Sequence, residues 1–160
     1  GLDAKIKWPN DIVLNGKKVC GILTEMSAEI DFVHYVIIGI GINVNMESFS
    51  DELLSTATSL YIEGGKRVKR SKLIAEIFGE FEKDYEDFIK DGNLGRLKVP
   101  YNELLVNCEQ EVRVLQPGKE YEGIAHGIDD EGNLLVETED GEIHKVYAGE
   151  VSVRGIYGYI

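Results

Sequence analysis

The chain has 160 residues, 17 Lys and Arg against 29 Asp and Glu, and 43% hydrophobic residues, the profile of a soluble globular protein of one domain or one and a half. Its longest apolar run, residues 36–42, is far short of the roughly 20 residues that cross a bilayer and predicts a buried strand. A net charge of -12 argues against nonspecific binding to nucleic acid or anionic membrane, which needs clustered cations.

The first residues, Gly1-Leu2-Asp3-Ala4-Lys5, include no initiator Met and have neither signal-peptide nor transit-peptide character. They suggest a truncated or processed cytoplasmic chain. Cys20 and Cys108 lie far apart without metal-ligand spacing and are expected to be reduced structural thiols, with no metal site and no disulfide. Charge divides the chain near residue 98, with 12 basic and 16 acidic residues before it (-4) and 5 basic and 13 acidic from it onward (-8), so two units are expected.

In chain order, residues 4–7 and 11–14 predict short strands, and Asn15-Gly16 predicts a two-residue hairpin because both types tolerate φ > 0. Residues 18–29 and 34–45 predict two long antiparallel strands around a turn near Ile30-Asp31-Phe32. From Ser71 the period turns helical, with Leu73, Ile74, Ile77, Phe78, Phe81, Tyr85, Phe88 and Ile89 on one stripe. Ser71 is the expected N-cap, Gly92 the stop, and the stripe is expected to lie on the sheet in an α+β layer. A connecting segment with Pro100 follows. Residues 111–154 then predict a small β-barrel, with turns at Pro117-Gly118, around Asp129-Asp130-Glu131-Gly132 and at Asp140-Gly141. Its expected core is Val112, Val114, Ile124, Leu134, Val136, Ile143, Val146, Val151 and Val153, thin enough to lean on the first unit.

Lys7-Trp8-Pro9-Asn10-Asp11 concentrates a cation, an aromatic, a rigid turn residue, an amide and a carboxylate in five positions. Pro9 restricts Trp8 and sets the angle of Asn10 and Asp11. The segment reads equally as an inter-strand turn in which Asn10 and Asp11 bond their own backbone. On the strand from His34, alternation sets an apolar face against one carrying Tyr35, Ile37, Gly39, Gly41, Asn43 and Asn45. Two glycines on one face imply close approach of a ligand or of another backbone, with a tightly packed helix as the structural alternative. Gly39-x-Gly41 ends in Asn with no helix after it, so it is not a dinucleotide fingerprint. Lys17 and Lys18 open a strand. A lysine there is usually solvated, but Lys18 suits a carboxylate or phosphate if it reaches the glycine-cleared face. The basic residues Lys66, Arg67, Lys69, Arg70 and Lys72 are taken as solvated, and His34, His126 and His144 form no ligand or triad pattern.

Four ordered motifs resemble the biotin protein ligase, or biotin-[acetyl-CoA-carboxylase] ligase, family: Lys7-Trp8-Pro9-Asn10-Asp11; a lysine before Gly21-Ile22-Leu23-Thr24-Glu25; Gly39-Ile40-Gly41-Ile42-Asn43-Val44-Asn45; and Ala57-Thr58-Ser59-Leu60. The resemblance spans the chain. It implies an α+β fold, with residues 1–103 the C-terminal part of a class II synthetase-like catalytic domain and residues 104–160 an SH3-like domain. It implies a two-step reaction: biotin and ATP give biotinyl-5′-AMP and pyrophosphate, and a lysine in the biotin acceptor domain of a carboxylase then takes the biotinyl group. Lys18 is carried over as the cation at the reacting carboxyl and phosphate, Lys7 as a second cation, and Asp11 as the residue positioning ATP, magnesium or the amine. Gly21, Ile22, Leu23, Gly39 and Ile42 are implied to line the biotin slot, and Asn10 and Asn43 to bind ATP. Magnesium is implied as the companion of ATP's phosphates, without a dedicated protein cage.

Two family features are not in this sequence: the Gly/Arg-rich loop upstream of Lys7 that closes over biotin, and the helix-turn-helix domain of some members. The isolated chain is therefore expected to have little or no ligase activity and no repressor function. Dimerisation through the catalytic sheet is among the states the resemblance allows. A non-catalytic interaction module and a lipoate-type acyl ligase are the alternative readings.

Overall fold

Residues 1–116, 118–148 and 152–155 of the computed structural model are described, so Pro117 of the first barrel turn and Val151 of the expected core lie outside them. The chain forms two compact units, Gly1–Ala4 with Asn10–Val68 and Lys5–Pro9 with Lys69–Ile160. The division falls inside the Lys-Trp-Pro-Asn-Asp motif. Strand β1 (Lys5–Lys7) belongs to the second unit, while β2 (Asp11–Leu14), β3 (Lys17–Glu29) and β4 (Phe32–Ile42) belong to the first.

Asn15 and Gly16 join β2 to β3 at φ 47° and 77°, the left-handed values that a two-residue hairpin requires. The pairing is antiparallel and runs Asp11↔Gly21, Ile12↔Cys20, Val13↔Lys18, so Val19 is an extra residue, a bulge in β3. Directly opposed residues share a face. One face therefore carries Asp11, Val13, Lys18 and Gly21, and extends through Gly21↔Gly41 and Leu23↔Gly39 onto β4. Beneath the other, Leu14, Val19 and Cys20 form a small core with Ile12, Ile22, Ile42 and Leu60.

Strand β4 pairs with β3 alone at the sheet edge, and residues 32–41 are exposed throughout. The apolar run within it is thus not the buried strand its composition predicted; Val36, Ile37, Ile38 and Ile40 are 42–53% exposed. Hydropathy predicts what a strand can bury, but a covering element must also exist, and the described residues supply none. Beyond β4, Ser59 caps the short helix α1 (Leu60–Gly64), accepting from the Ile62 N–H and donating to the Met46 carbonyl.

In the second unit, β5 (Gln110–Gln116), β6 (Lys119–Ile128), β7 (Leu134–Glu137), β8 (Ile143–Val146) and β9 (Ser152–Gly155) form an antiparallel sheet in the order β8-β7-β6-β5-β9. Val112, Val114, Leu134, Val136, Val146 and Val153 are buried as expected. Ile124 and Ile143 are instead exposed, a correction that the register explains: Ile124 opposes Glu111 and Ile143 opposes Glu137, both on the outward face. A register irregularity between Ala125 and Ile128 lets both of these residues point inward. The core is completed by Leu105 and by Trp8, whose indole packs among these valines.

Helix α2 (Arg70–Asp91) ends at Gly92, in the left-handed conformation, as expected. It begins one residue before Ser71, so Lys69 rather than Ser71 is the N-cap and no side chain caps it. The expected burial of its apolar stripe is also not observed. No α2 residue is buried, and Phe81, Tyr85 and Phe88 stack on one another with centroids 5.6 and 6.5 Å apart. Helix α3 (Gly95–Leu104) occupies the segment read as a connection and tolerates Pro100 in its interior. Asn102 fastens it to β6 by accepting from the Ile128 N–H at 2.9 Å. No helix among the described residues is long and apolar enough to cross a membrane.

Candidate active site

The face of the first unit that carries glycines holds a close ion pair. Lys18 Nζ lies 2.6 Å from Asp11 Oδ1, with the carboxylate nearly buried and the lysine half-exposed. Strict alternation along β3 would put Lys18 opposite in sense to Gly21. The bulge at Val19 resets the alternation and turns Lys18 to the same side as Asp11 and Gly21. The backbone of Lys18 is held as well: its N–H donates to the Thr56 carbonyl at 2.8 Å, and its carbonyl accepts from the Thr58 N–H at 2.9 Å. Thr58 and Ser59 are almost wholly buried, so the Ala-Thr-Ser-Leu motif acts here as scaffold, pinning Lys18 and capping α1. The neighbouring Lys17 is directed elsewhere, donating to the Leu54 carbonyl at 2.7 Å.

Asn10 clasps β3 from the β2 side. Its Nδ2 donates to the Ile22 carbonyl at 2.6 Å, and the Ile22 N–H donates to the Asn10 carbonyl at 2.9 Å. This long-range clasp replaces the self-bonded Asx-turn that the sequence also allowed. Gly39 and Gly41 are exposed; a Cβ at either would meet only a carbonyl oxygen at 3.7 Å, so no tightly packed helix accounts for them among the described residues. Asn43 follows β4 directly, its N–H donating to the Val19 carbonyl at 2.8 Å. Ile22 and Ile42 pack their side chains into the small core on the far side of the sheet. Asn45 is a clip to Val68, donating to its carbonyl and accepting from its N–H, each at 2.9 Å.

Lys7 ends β1 in the second unit, where it is buried. Trp8, next in the motif, is a core residue of that unit. Cys20 and Cys108 are both free thiols, and burial pushes the Cys20 thiol up. The basic loop is tied locally, with Arg67 paired to Glu47 and its guanidinium over the Tyr61 ring. No group of three or more His, Cys, Asp or Glu side chains suited to a metal exists among the described residues. The carboxylate of Asp11 offers a ligand to an ion carried by a nucleotide's phosphates.

Sequence reasoning missed two features of this region: the bulge that aims Lys18 and the allegiance of Trp8 to the C-terminal unit. The extra residue at Val19 has no composition signal, and the partner of Trp8 lies more than a hundred residues away.

Comparison with known proteins gives the same outline. Residues 1–43 match the biotin/lipoate A/B protein ligase family, and residues 108–154 match the biotin protein ligase C terminal domain. The chain is 44% identical over 155 residues to the bifunctional ligase/repressor BirA of Bacillus subtilis, covering 96% of this chain and 47% of that protein. The apo biotin protein ligase of Aquifex aeolicus superposes with a TM-score of 0.83 at 30% identity, covering 95% of this chain and 65% of that one.

The chain belongs to the biotin protein ligase family.

It spans about half the length of the curated relatives it matches. A biotin--[acetyl-CoA-carboxylase] ligase of Mycobacterium tuberculosis is 31% identical over 147 residues, 91% of this chain and 52% of that one. The Aquifex enzyme solved in complex with biotin and ATP matches with a TM-score of 0.80 at 29% identity, over 95% of this chain and 62% of that one. As in other members of the biotin protein ligase family, an antiparallel sheet with helices precedes a five-stranded antiparallel sheet.

Proposed function

We propose that this chain supplies the cationic wall and part of the biotin slot of a biotin protein ligase, with residues 1–103 serving the catalytic domain and residues 104–160 forming its accessory domain. The observation that carries the reading is the Lys18 ammonium held on a glycine-cleared face beside Asp11, within a chain of this family. In the first step, a carboxylate oxygen of biotin attacks the α-phosphorus of ATP and pyrophosphate leaves. Negative charge accumulates on the phosphoryl oxygens, and a fixed ammonium in a partly dehydrated site lowers that barrier. Lys18 takes this role, Lys7 is the second cation, and Asp11 orients Lys18 and the incoming groups. In the second step, a lysine amine of a carboxylase's acceptor domain attacks the biotinyl carbonyl and AMP leaves.

Gly39 offers the flat biotin bicycle a position free of a side chain, with the backbones of Gly21, Ile22, Leu23 and Ile42 beside it. Asn10 and Asn43 serve ATP. Magnesium would accompany ATP rather than sit in a cage of side chains. The Gly/Arg-rich loop of the family is no part of these 160 residues, and the chain by itself is proposed to turn over little. The match of residues 1–43 to a family that includes lipoate ligases favours lipoate as the competing acyl substrate, whereas the C-terminal match favours biotin.

Lys18→Ala, made in the protein that carries this chain, tests the reading by biotin-dependent release of pyrophosphate from ATP. A loss of roughly a hundredfold or more in turnover is expected. Turnover within twofold of the unsubstituted protein, or equal stimulation by lipoate, would overturn it.

A further inference from the structure

We propose that Gly21 is a positioning residue whose missing side chain is the seat of the Lys18 ammonium. The inference rests on the proposed role of Lys18 and adds a residue that sets where that charge stands. The β2–β3 register and the Val19 bulge bring Asp11, Lys18 and Gly21 to one face. A Cβ built on Gly21 would lie 2.8 Å from both Cε and Nζ of Lys18 and 3.4 Å from Asp11 Oδ1. The space above Gly21 is therefore occupied by the end of the lysine, folded back along its own strand to reach the carboxylate.

Gly39 and Gly41 on the same face differ, since a Cβ there would make only ordinary contacts. Those two positions leave room for something outside this chain, whereas Gly21 leaves room for Lys18. Gly21 is not in the left-handed region, so alanine can adopt its backbone. The atoms that alanine would strike belong to the tip of a flexible side chain, which moves at little cost to the fold. Gly21→Ala should thus leave the sheet intact while lifting the ammonium away from Asp11, changing the placement of charge rather than stability.

The test is residue-resolved acetylation of the unliganded chain, read by mass spectrometry with exposed Lys66 as internal reference. Gly21→Ala and Asp11→Asn should each speed Lys18 labelling relative to Lys66 by about three- to fivefold, the scale of one partly exposed ion pair. The double variant should be no faster than Asp11→Asn. Equal Lys18 labelling in Gly21→Ala and the unsubstituted chain would overturn the proposal, above all if Asp11→Asn alone accelerates it. If Gly21→Ala folds poorly, melting of Gly21→Ala in a Lys18→Ala background decides. The proposal requires the defect to vanish once the lysine is gone, and an equal defect in both backgrounds overturns it. The labelling needs no ligand, so absence of ligase activity would sink the proposed function while leaving the seat of Lys18 to stand or fall separately.

Discussion

The indole N–H of Trp8 donates to the carbonyl of Gly132 at 3.2 Å, across 124 positions of sequence. Trp8 lies between Lys7 and Asn10 in the motif read as ligase chemistry, yet its ring fills the core of the C-terminal unit with Val112, Val114 and Leu134. The motif thus does two jobs. Its Asn bonds to Ile22 and its Asp pairs with Lys18, while its Trp anchors the strand before them within the second unit.

Trp8→Ala should destabilise the second unit by about 3–5 kcal/mol, the cost of emptying a large aromatic site. Trp8→Phe should cost about 1–2 kcal/mol, mainly from the unpaired Gly132 carbonyl and the smaller ring. Urea unfolding followed by far-ultraviolet circular dichroism measures both. A Trp8→Ala loss below about 1 kcal/mol would contradict the core placement.

Two glycines outside the site should respond in opposite directions. A Cβ at Gly123 would stand 2.7 Å from Val136 Cγ1 and even closer to the Glu137 carbonyl oxygen, backbone that cannot yield. Gly123→Ala should destabilise by about 2–3 kcal/mol. Gly79, inside α2, has nothing within 4 Å of such a Cβ. Gly79→Ala should stabilise by about 0.5–1 kcal/mol through helix propensity. Chemical denaturation of the two variants side by side checks the contrast.

His126 stands between two carboxylates, with Nδ1 3.0 Å from Glu109 and Nε2 2.7 Å from Glu137. The bond to Glu109, then that to Glu137, raises its pKa above the ordinary 6.5. A raised histidine favours the folded state while protonated. Its contribution is fully present below pH 6.5 and is lost as pH rises through the folded-state value. Thermal melts should show this loss on the alkaline side of 6.5. The pH-dependent limb should disappear in His126→Gln, and its persistence there would assign it to another group.

Cys20 is buried and Cys108 half-buried, and desolvation pushes both thiols up. Iodoacetamide should modify Cys108 first and reach Cys20 only as the sheet opens, because the reagent must touch the sulfur and Cys20 is covered. Peptide mapping over time gives the order, and faster modification of Cys20 would show that β3 opens more readily than its pairing implies.

In the second unit, Asp129 shows how one turn is tied down. Burial alone would raise its carboxyl, but bonds from Lys145 and Asn133 outweigh burial and hold it well below the usual carboxylate range. The acidic run around it was legible as a turn from residue type alone. The lysine that stabilises it lies on β8 and was not.

Features encoded within a few residues could be read from the sequence alone. The hairpin at Asn15-Gly16 follows from two residues that accept positive φ, the end of α2 at Gly92 from the same freedom, and the inward valines of β5 and β7 from a period of two. The family motifs were legible for the same reason, since they are contiguous. Tertiary structure decided the rest. Ile124 and Ile143 face outward because register, not hydropathy, chooses a strand's inner side. Lys18 faces Asp11 because one residue is looped out of β3 when it pairs with β2. Trp8 belongs to the C-terminal core because its partners converge there from strands more than a hundred residues away. Pairing and packing are properties of two segments at once, and a pattern along one segment cannot specify them.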